Sequence, residues 1–197
     1  MTRTRRWFAG GLAALLGGCS AAPAEPADPP ASGTPPAIAF TAKVAVEGQT
    51  IHISYQLTNK SADEVLVLDR VPGTDAVYVV GRSGTHLVEI GRRAYAMPDT
   101  DKVSWAQAAR VGVTKLPPGE SVDEQVTLAL PLQRRHPYGD DYGDGTIKLP
   151  DPIEQVVFCV GVVRAAEAKG LAADETLPHL SSTTSVQHLF CSDPVKL

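Results

Sequence analysis

The chain lacks the short motifs that identify the common nucleotide-binding and hydrolytic sites. It contains no P-loop, no dinucleotide-binding glycine fingerprint and no His-Glu-x-x-His zinc motif. The segment Gly81-Arg82-Ser83-Gly84-Thr85 does not complete the Gly-x-Ser-x-Gly pattern of a nucleophile elbow. A catalytic triad assembled from distant residues would leave no such motif. Because none of the motifs named above is present, we nevertheless expect a binding protein rather than an enzyme.

Sulfur-containing residues and basic clusters are also scarce. The sequence has two methionines and three cysteines, and Met97 is the only methionine after the first residue. A thioether-rich copper site is therefore not expected. The 18 Lys and Arg residues are outnumbered by 22 Asp and Glu, and they form no basic stripe. Neither nucleic acid nor an anionic lipid surface is an expected partner.

What the sequence does have is the pattern of an export signal at its N-terminus. Arg3, Arg5 and Arg6 form a basic head, and Trp7 to Leu16 form a short apolar core. Leu16-Gly17-Gly18-Cys19 follows, so small residues precede a cysteine. This order is typical of a secretory signal peptide. It resembles the lipobox of bacterial lipoproteins, which implies cleavage after residue 18 and attachment of a lipid to the Cys19 thiol.

The lipoprotein resemblance implies a location in the cell envelope. The apolar core is too short to span a membrane, which takes about 20 apolar residues, so the lipid would be the anchor. Ser20 follows the cysteine, which implies the periplasmic side of the outer membrane if the cell is Gram-negative. Thr4-Arg5-Arg6-Trp7-Phe8 also resembles a twin-arginine export signal, an alternative to the general secretory route. Cleavage leaves 15 basic and 22 acidic residues, a net charge of −7.

Residues 19–37 indicate a linker between the lipid and the domain. The segment is rich in proline and alanine and contains few large apolar side chains to offset the entropy of ordering it. Proline favours an extended chain that rises about 3.1 Å per residue. We expect a disordered spacer without packed structure from Ser20 to Pro36, and a single domain over residues 38–197.

Short apolar stretches with a period of two, separated by turn residues, predict that this domain is all-β. Residues 103–110 and 164–174 have some helical character, but both segments are short. Eight or nine strands of this kind indicate a sandwich or a barrel. The predicted strands cover residues 38–46, 51–57, 65–71, 77–80, 86–90, 111–116, 122–132, 153–163 and 185–191.

Two turn motifs point to a particular sandwich. Thr58-Asn59-Lys60-Ser61 ends one predicted strand, and Leu116-Pro117-Pro118-Gly119-Glu120-Ser121 precedes another. The pattern resembles the immunoglobulin-like domains of bacterial surface proteins. The resemblance implies an immunoglobulin-like antiparallel β-sandwich and carries no function of its own.

Cys159 and Cys191 remain once Cys19 is assigned to the lipid. Cys159 lies within the most apolar predicted strand and Cys191 ends the last one. In an oxidising compartment such a pair favours a disulfide, provided that the two strands pair antiparallel. The alternatives are two buried thiols or a metal pair, and the latter lacks a Cys-x-x-Cys motif or a histidine at ligand spacing.

One long loop carries the residue types of a metal site. On a calcium-loop template Asp140 takes position one, Asp144 position five, Gly145 position six and Asp151 position twelve. Tyr142 at position three cannot supply a carboxylate, and Asp151 replaces the usual bidentate Glu. A solvated acidic loop is the favoured interpretation, with calcium as the alternative.

The same loop contains a candidate contact patch, formed by Arg134, Arg135, His136, Tyr138 and Tyr142, since aromatic residues and arginine are enriched at interfaces. The leading hypothesis is a lipid-anchored envelope module that binds an envelope protein or polymer. The alternative is a divalent-metal-dependent or hydrolytic envelope enzyme that uses His136 and the three aspartates of the loop.

The remaining histidines form no metal-binding spacing. His52 and His188 lie on an early and a late predicted strand, where a sandwich could make them neighbours. Scattered surface histidines are the favoured interpretation.

Overall fold

The computed structural model describes Glu25 and residues 28–197, and these fold as an all-β sandwich of two packed sheets. Within these described residues, eleven strands follow one another: β1 (Ile38–Glu47), β2 (Thr50–Asn59), β3 (Val65–Arg70), β4 (Tyr78–Gly81), β5 (Leu87–Arg92), β6 (Arg110–Leu116), β7 (Ser121–Ala129), β8 (Gln155–Arg164), β9 (Thr176–Pro178), β10 (His188–Cys191) and β11 (Val195–Lys196). A 3-10 turn spans Ala165–Glu167, and a one-turn helix, α1, spans Ser181–Thr184.

The smaller sheet contains three antiparallel strands in the order β1-β2-β7. Its middle strand shows the sequence alternation directly, because its apolar side chains are buried while His52, Ser54 and Gln56 between them are exposed. The buried face packs on the larger sheet, around Phe158 of β8. The apolar side chains of β2 that form this face are Ile51, Ile53, Tyr55 and Leu57.

The larger sheet runs β4-β5-β8-β3-β6-β9, and β10 and β11 also pair with β8. Both faces of its central strand are covered, which is why the sequence from Val156 to Val163 is continuously apolar. One face packs on the smaller sheet. The other face holds a second core that includes Leu66, Val111 and Leu177. The loops that cover this second face contain the polar residues considered below.

The all-β sandwich predicted from the sequence is confirmed, and each of the nine predicted strands overlaps an observed one. Two very short strands, β9 and β11, raise the number to eleven. One pair departs from an antiparallel sandwich, since β5 and β8 run parallel. More than sixty residues, including β6 and β7, separate these strands, which is ample for the crossover that a parallel pair requires. The predicted helical character at residues 103–110 is absent, and at 164–174 it is reduced to the 3-10 turn.

The cysteine pair forms the predicted disulfide. Cys191 of β10 lies directly opposite Cys159 of β8 in an antiparallel register, with 4.1 Å between the α-carbons. The bond joins two residues that are 32 positions apart in the sequence and links β10 covalently to the central strand β8. The antiparallel pairing on which the sequence argument depended is therefore present.

Only part of the predicted N-terminal region lies within the described residues. The predicted signal peptide and Cys19 lie outside the described residues. The described part of the spacer contains no helix or strand before β1. It is nevertheless attached to the domain: the Ser32 amide and hydroxyl both donate to the Ser185 carbonyl, at 2.7 and 2.8 Å. The prediction of a spacer without regular structure is confirmed for its described residues, and the side-chain contacts that Glu25 and Asp28 make with the domain are described in the next section.

Candidate functional site

Three arginines and four carboxylates meet beneath the N-terminal spacer, and we call this group the arginine cluster. Its arginines are Arg82, Arg93 and Arg134. Two carboxylates come from the domain and two from the spacer, and they are Glu89, Asp140, Glu25 and Asp28. The cluster joins the ends of β4 and β5 to the loop that follows β7. The sequence does not bring these residues together.

Glu89 organises the first half of the cluster. It lies on β5 between Val88 and Ile90, which point into the main core, so its own side chain faces the opposite side of the sheet. Arg93 Nε donates to Glu89 Oε1 at 2.5 Å, and Arg82 Nη2 donates to Oε2 at 2.9 Å. Burial would raise the pKa of Glu89, but the two guanidiniums outweigh it and hold the pKa below its usual value. The carboxylate therefore stays ionised.

Tyr95 covers this ion pair from the loop after β5. Its ring lies under the Arg93 guanidinium, 3.9 Å from the guanidinium carbon to the ring centroid, and its hydroxyl donates to Glu89 Oε1 at 3.3 Å. Gly91 provides the space, because a Cβ there would lie 2.6 Å from the Tyr95 hydroxyl. A larger residue at position 91 would displace the ring.

Asp28 of the spacer is held at both oxygens. Arg93 Nη1 donates to Oδ2 at 2.6 Å, and the backbone amide of Ala96 donates to Oδ1 at 2.6 Å. A guanidinium together with a backbone N–H satisfies a carboxylate in a fixed orientation. The Arg93–Asp28 contact is largely shielded from water, with side-chain exposures of 10% and 19%.

Glu25 of the spacer occupies a second position. Arg134 approaches it through two nitrogens, with Nε and Nη2 at 3.0 and 2.8 Å from Oε2, and the Tyr142 hydroxyl donates to Oε1 at 3.2 Å. The Ser83 hydroxyl donates to the Glu25 backbone carbonyl at 2.9 Å. Burial raises the pKa of Glu25, and the Arg134 contacts offset only part of that rise. A largely buried glutamate side chain is thus bound by a nearly fully buried arginine.

Two neutral histidines lie between the arginine cluster and the buried rings of Tyr78, Tyr95 and Tyr142. Burial, aided by nearby arginine charge, lowers the pKa of both His136 and His179 to about 3. The Tyr95 amide donates to His179 Nδ1 at 3.0 Å, so the neutral ring carries its proton on Nε2, which donates to the Tyr78 hydroxyl at 3.0 Å. His136 Nδ1 lies 2.6 Å from the Tyr142 hydroxyl. His136 is 3.5 Å from Glu25, but as a neutral ring it does not form an ion pair there.

The aspartates of the calcium-loop template are engaged elsewhere or exposed. Asp140 accepts from Arg134 Nη1 at 2.6 Å, and Asp144 pairs with Lys102. Asp151 is exposed. Within Glu25 and residues 28–197, no group of three or more His, Cys, Asp or Glu side chains is arranged to hold a metal ion.

The predicted contact patch lies mostly inside the molecule. Tyr138 and Tyr142 pack with Ile147 and Trp105 in a small core of their own. His136 is buried, and the Arg134 side chain is 5% exposed. Arg135 is partly exposed beside the Tyr78 ring. The segment is therefore an internal support of the arginine cluster and not an outer surface, because its aromatic rings find apolar partners within the domain.

The sequence pointed to Arg134 and His136, and to Asp140 as a possible metal ligand, but not to most of the site. Glu25, Asp28, Arg82, Glu89 and Arg93 were not singled out. The available signals were a charged residue inside an apolar strand at position 89 and the pair Arg92-Arg93 directly after it. Of the two other histidines considered, His52 faces outward on β2 and His188 is buried on β10, and they are not strand partners.

A cavity of about 670 Å³ lies beside the docked spacer. The spacer forms one wall through Asp28, Pro29 and Pro30, and the domain forms the others. Leu189, an exposed apolar residue on β10, stands at its edge. This volume is within the range of small-ligand sites. The arginine cluster forms part of its lining.

No protein-family model, curated protein or solved structure matches the chain. No helix among the described residues is both long and apolar enough to cross a membrane.

Proposed function

We propose that the chain is a lipid-anchored binding module of the bacterial cell envelope, held on the periplasmic side of the outer membrane in a Gram-negative cell. Its partner would be an envelope protein or polymer. The signal-like N-terminus and Cys19 support the anchor. The Cys159–Cys191 disulfide supports an oxidising compartment outside the cytoplasm.

The observation that carries the binding function is the arginine cluster beside the cavity. Arg93 and Arg134 are almost fully buried, yet each makes a charged contact with a segment outside the sandwich. Placing guanidiniums where water is excluded is costly unless an anion accompanies them. Such an arrangement is typical of a site that recognises an anionic partner.

Photo-crosslinking in cells tests this proposal. A photoreactive residue at position 189, at the edge of the cavity, is expected to capture one defined envelope component. The matched control carries the same residue at position 56, which is exposed on the outer face of the smaller sheet. Capture from position 189 but not from position 56 supports the proposal. Identical products from both positions would contradict it.

The anchor is checked on the same preparations. The intact mass of the mature wild-type protein should correspond to a chain that begins at Cys19 and carries lipid, whereas Cys19→Ser should leave an unacylated precursor. A mature protein that retains residues 1–18, or that carries no added lipid, would contradict the anchoring.

A further inference from the structure

We propose that the arginine cluster is a receptor for an acidic peptide segment of the partner, and that the chain's own spacer occupies it by presenting Glu25 and Asp28. The proposal rests on the binding function above and specifies the chemistry of the ligand. The two carboxylates are three positions apart in the sequence. Each has its own binding position on the domain.

The two positions have the parts of complete carboxylate sites. At the first, Arg93 and the Ala96 amide bind the two oxygens of Asp28 separately. At the second, Arg134 donates through two nitrogens to Glu25, and the Tyr142 hydroxyl donates to its other oxygen. Guanidinium forks of this kind discriminate carboxylates by geometry as well as by charge.

The domain alone positions both arginines. Glu89 fixes Arg93 through Nε, which leaves Nη1 directed at Asp28. The Gly139 carbonyl and Asp140 both accept from Arg134 Nη1, which leaves Nε and Nη2 for Glu25. The spacer therefore enters a site whose donors are held by other contacts. Such preorganisation lowers the entropic cost of binding any matching ligand.

The charge balance favours an acidic occupant. The domain contributes three guanidiniums and two carboxylates, and Asp140 is more than half exposed. Without Glu25 and Asp28 the cluster has an excess of positive charge in a shielded position. A peptide that carries two carboxylates would supply what the spacer now supplies, a shielded partner for Arg134, whose other carboxylate Asp140 is exposed, and a second carboxylate for Arg93.

A partner would have to compete with the spacer for the arginine cluster. A segment attached to the same chain acts at an effective concentration in the millimolar range, so a partner must bind tightly enough to displace it.

Displacement of the spacer also changes the distance that the proposed lipid anchor allows between the membrane and the domain. Six residue steps join Cys19 to Glu25, a span of at most about 20 Å. Once Glu25 and Asp28 are released, the tether runs from Cys19 to Ala37, which is eighteen residue steps instead of six.

Peptide binding to the full-length protein tests the receptor. The probe is a fluorescein-labelled peptide with the sequence of residues 21–31, followed by anisotropy. Glu25→Gln/Asp28→Asn protein, whose own spacer is weakened as a competitor, is expected to bind it at least tenfold more tightly than wild type. Arg93→Lys/Arg134→Lys in that background keeps the charge and loses the fork, and should weaken binding at least tenfold.

Altered peptides provide controls that leave the protein's folding unchanged. A peptide with Gln and Asn in place of Glu25 and Asp28 should bind at least tenfold more weakly, and so should one with the two acids placed side by side. Equal binding of the adjacent-acid peptide would show unspecific charge attraction and overturn the proposal. Equal binding of the amide peptide would also overturn it. Neither result affects capture of a partner from position 189, so failure of this inference and failure of the proposed function remain distinguishable.

Discussion

Removal of the Cys159–Cys191 disulfide is expected to lower the melting temperature by about 6–16 °C. Closing a loop of this length stabilises a protein by about 3–4 kcal/mol in the chain-entropy model. For a domain of this size, about 1 kcal/mol corresponds to roughly 2–4 °C. Cys191 belongs to a four-residue strand followed only by the two-residue β11, so few other contacts hold the C-terminal segment to β8.

Calorimetry of wild type and Cys159→Ala/Cys191→Ala protein measures this effect. Wild type in reductant should melt like the double variant, and reductant should leave the double variant unchanged. A shift below about 2 °C, or two free thiols in protein isolated without reductant, would contradict the structural role of the bond.

Asp69→Asn is expected to stabilise the protein near neutral pH and to have little effect near pH 4. Asp69 is almost fully buried on β3, next to the register shift with β6, and neither oxygen has a well-formed hydrogen bond among the described residues. Burial raises its pKa from 3.8 to about 6, and the Thr114 side chain and Arg92 offset only part of that rise. Glu124, a nearby like charge, adds to it.

The direction of this pH dependence follows from the linkage between proton binding and folding. A carboxyl group with a raised pKa in the folded state binds its proton more tightly there, so wild type loses stability as the pH rises from about 4 to about 6. The size of the pKa shift corresponds to about 2–3 kcal/mol. The amide cannot ionise and avoids this loss.

Urea unfolding at pH 4 and pH 7.5 checks this prediction. The difference in unfolding free energy between Asp69→Asn and wild type should grow by about 2–3 kcal/mol between the two pH values. Asp63→Asn, an exposed change beside the same strand, should stay within about 0.5 kcal/mol of wild type at both. If the difference in unfolding free energy between Asp69→Asn and wild type is the same at both pH values, ionisation of the buried Asp69 does not destabilise the wild-type protein.

The strand pattern was predictable because it depends on local periodicity. Alternation in β2 and the continuous apolar run of β8 each follow from how many faces of the strand are covered. The disulfide followed from the expectation of an oxidising compartment and from the placement of two cysteines on apolar strands. The parallel pairing of β5 and β8 was not predictable, since it depends on the route of the chain between them.

The candidate site was largely hidden because its charges come from distant parts of the chain. Glu25 and Arg134 are 109 residues apart, and Asp28 and Arg93 are 65 apart. Composition marked the spacer as too poor in apolar residues to pack, and it is held mainly by hydrogen bonds and ion pairs instead. The Tyr138 and Tyr142 rings were expected on a surface, but aromatic partners such as Trp105 draw them inward.

Hydrogen exchange of a single amide tests most directly whether the spacer occupies the arginine cluster. The Ala96 N–H donates to the Asp28 side chain, whereas the neighbouring Tyr95 N–H donates to His179 within the domain. Residue-resolved exchange by NMR should show both amides protected in wild type. In Asp28→Ala protein, Ala96 should lose its protection while Tyr95 keeps it. An Ala96 amide that exchanges at the unprotected rate in wild type, or that stays equally protected in Asp28→Ala, would contradict docking of the spacer.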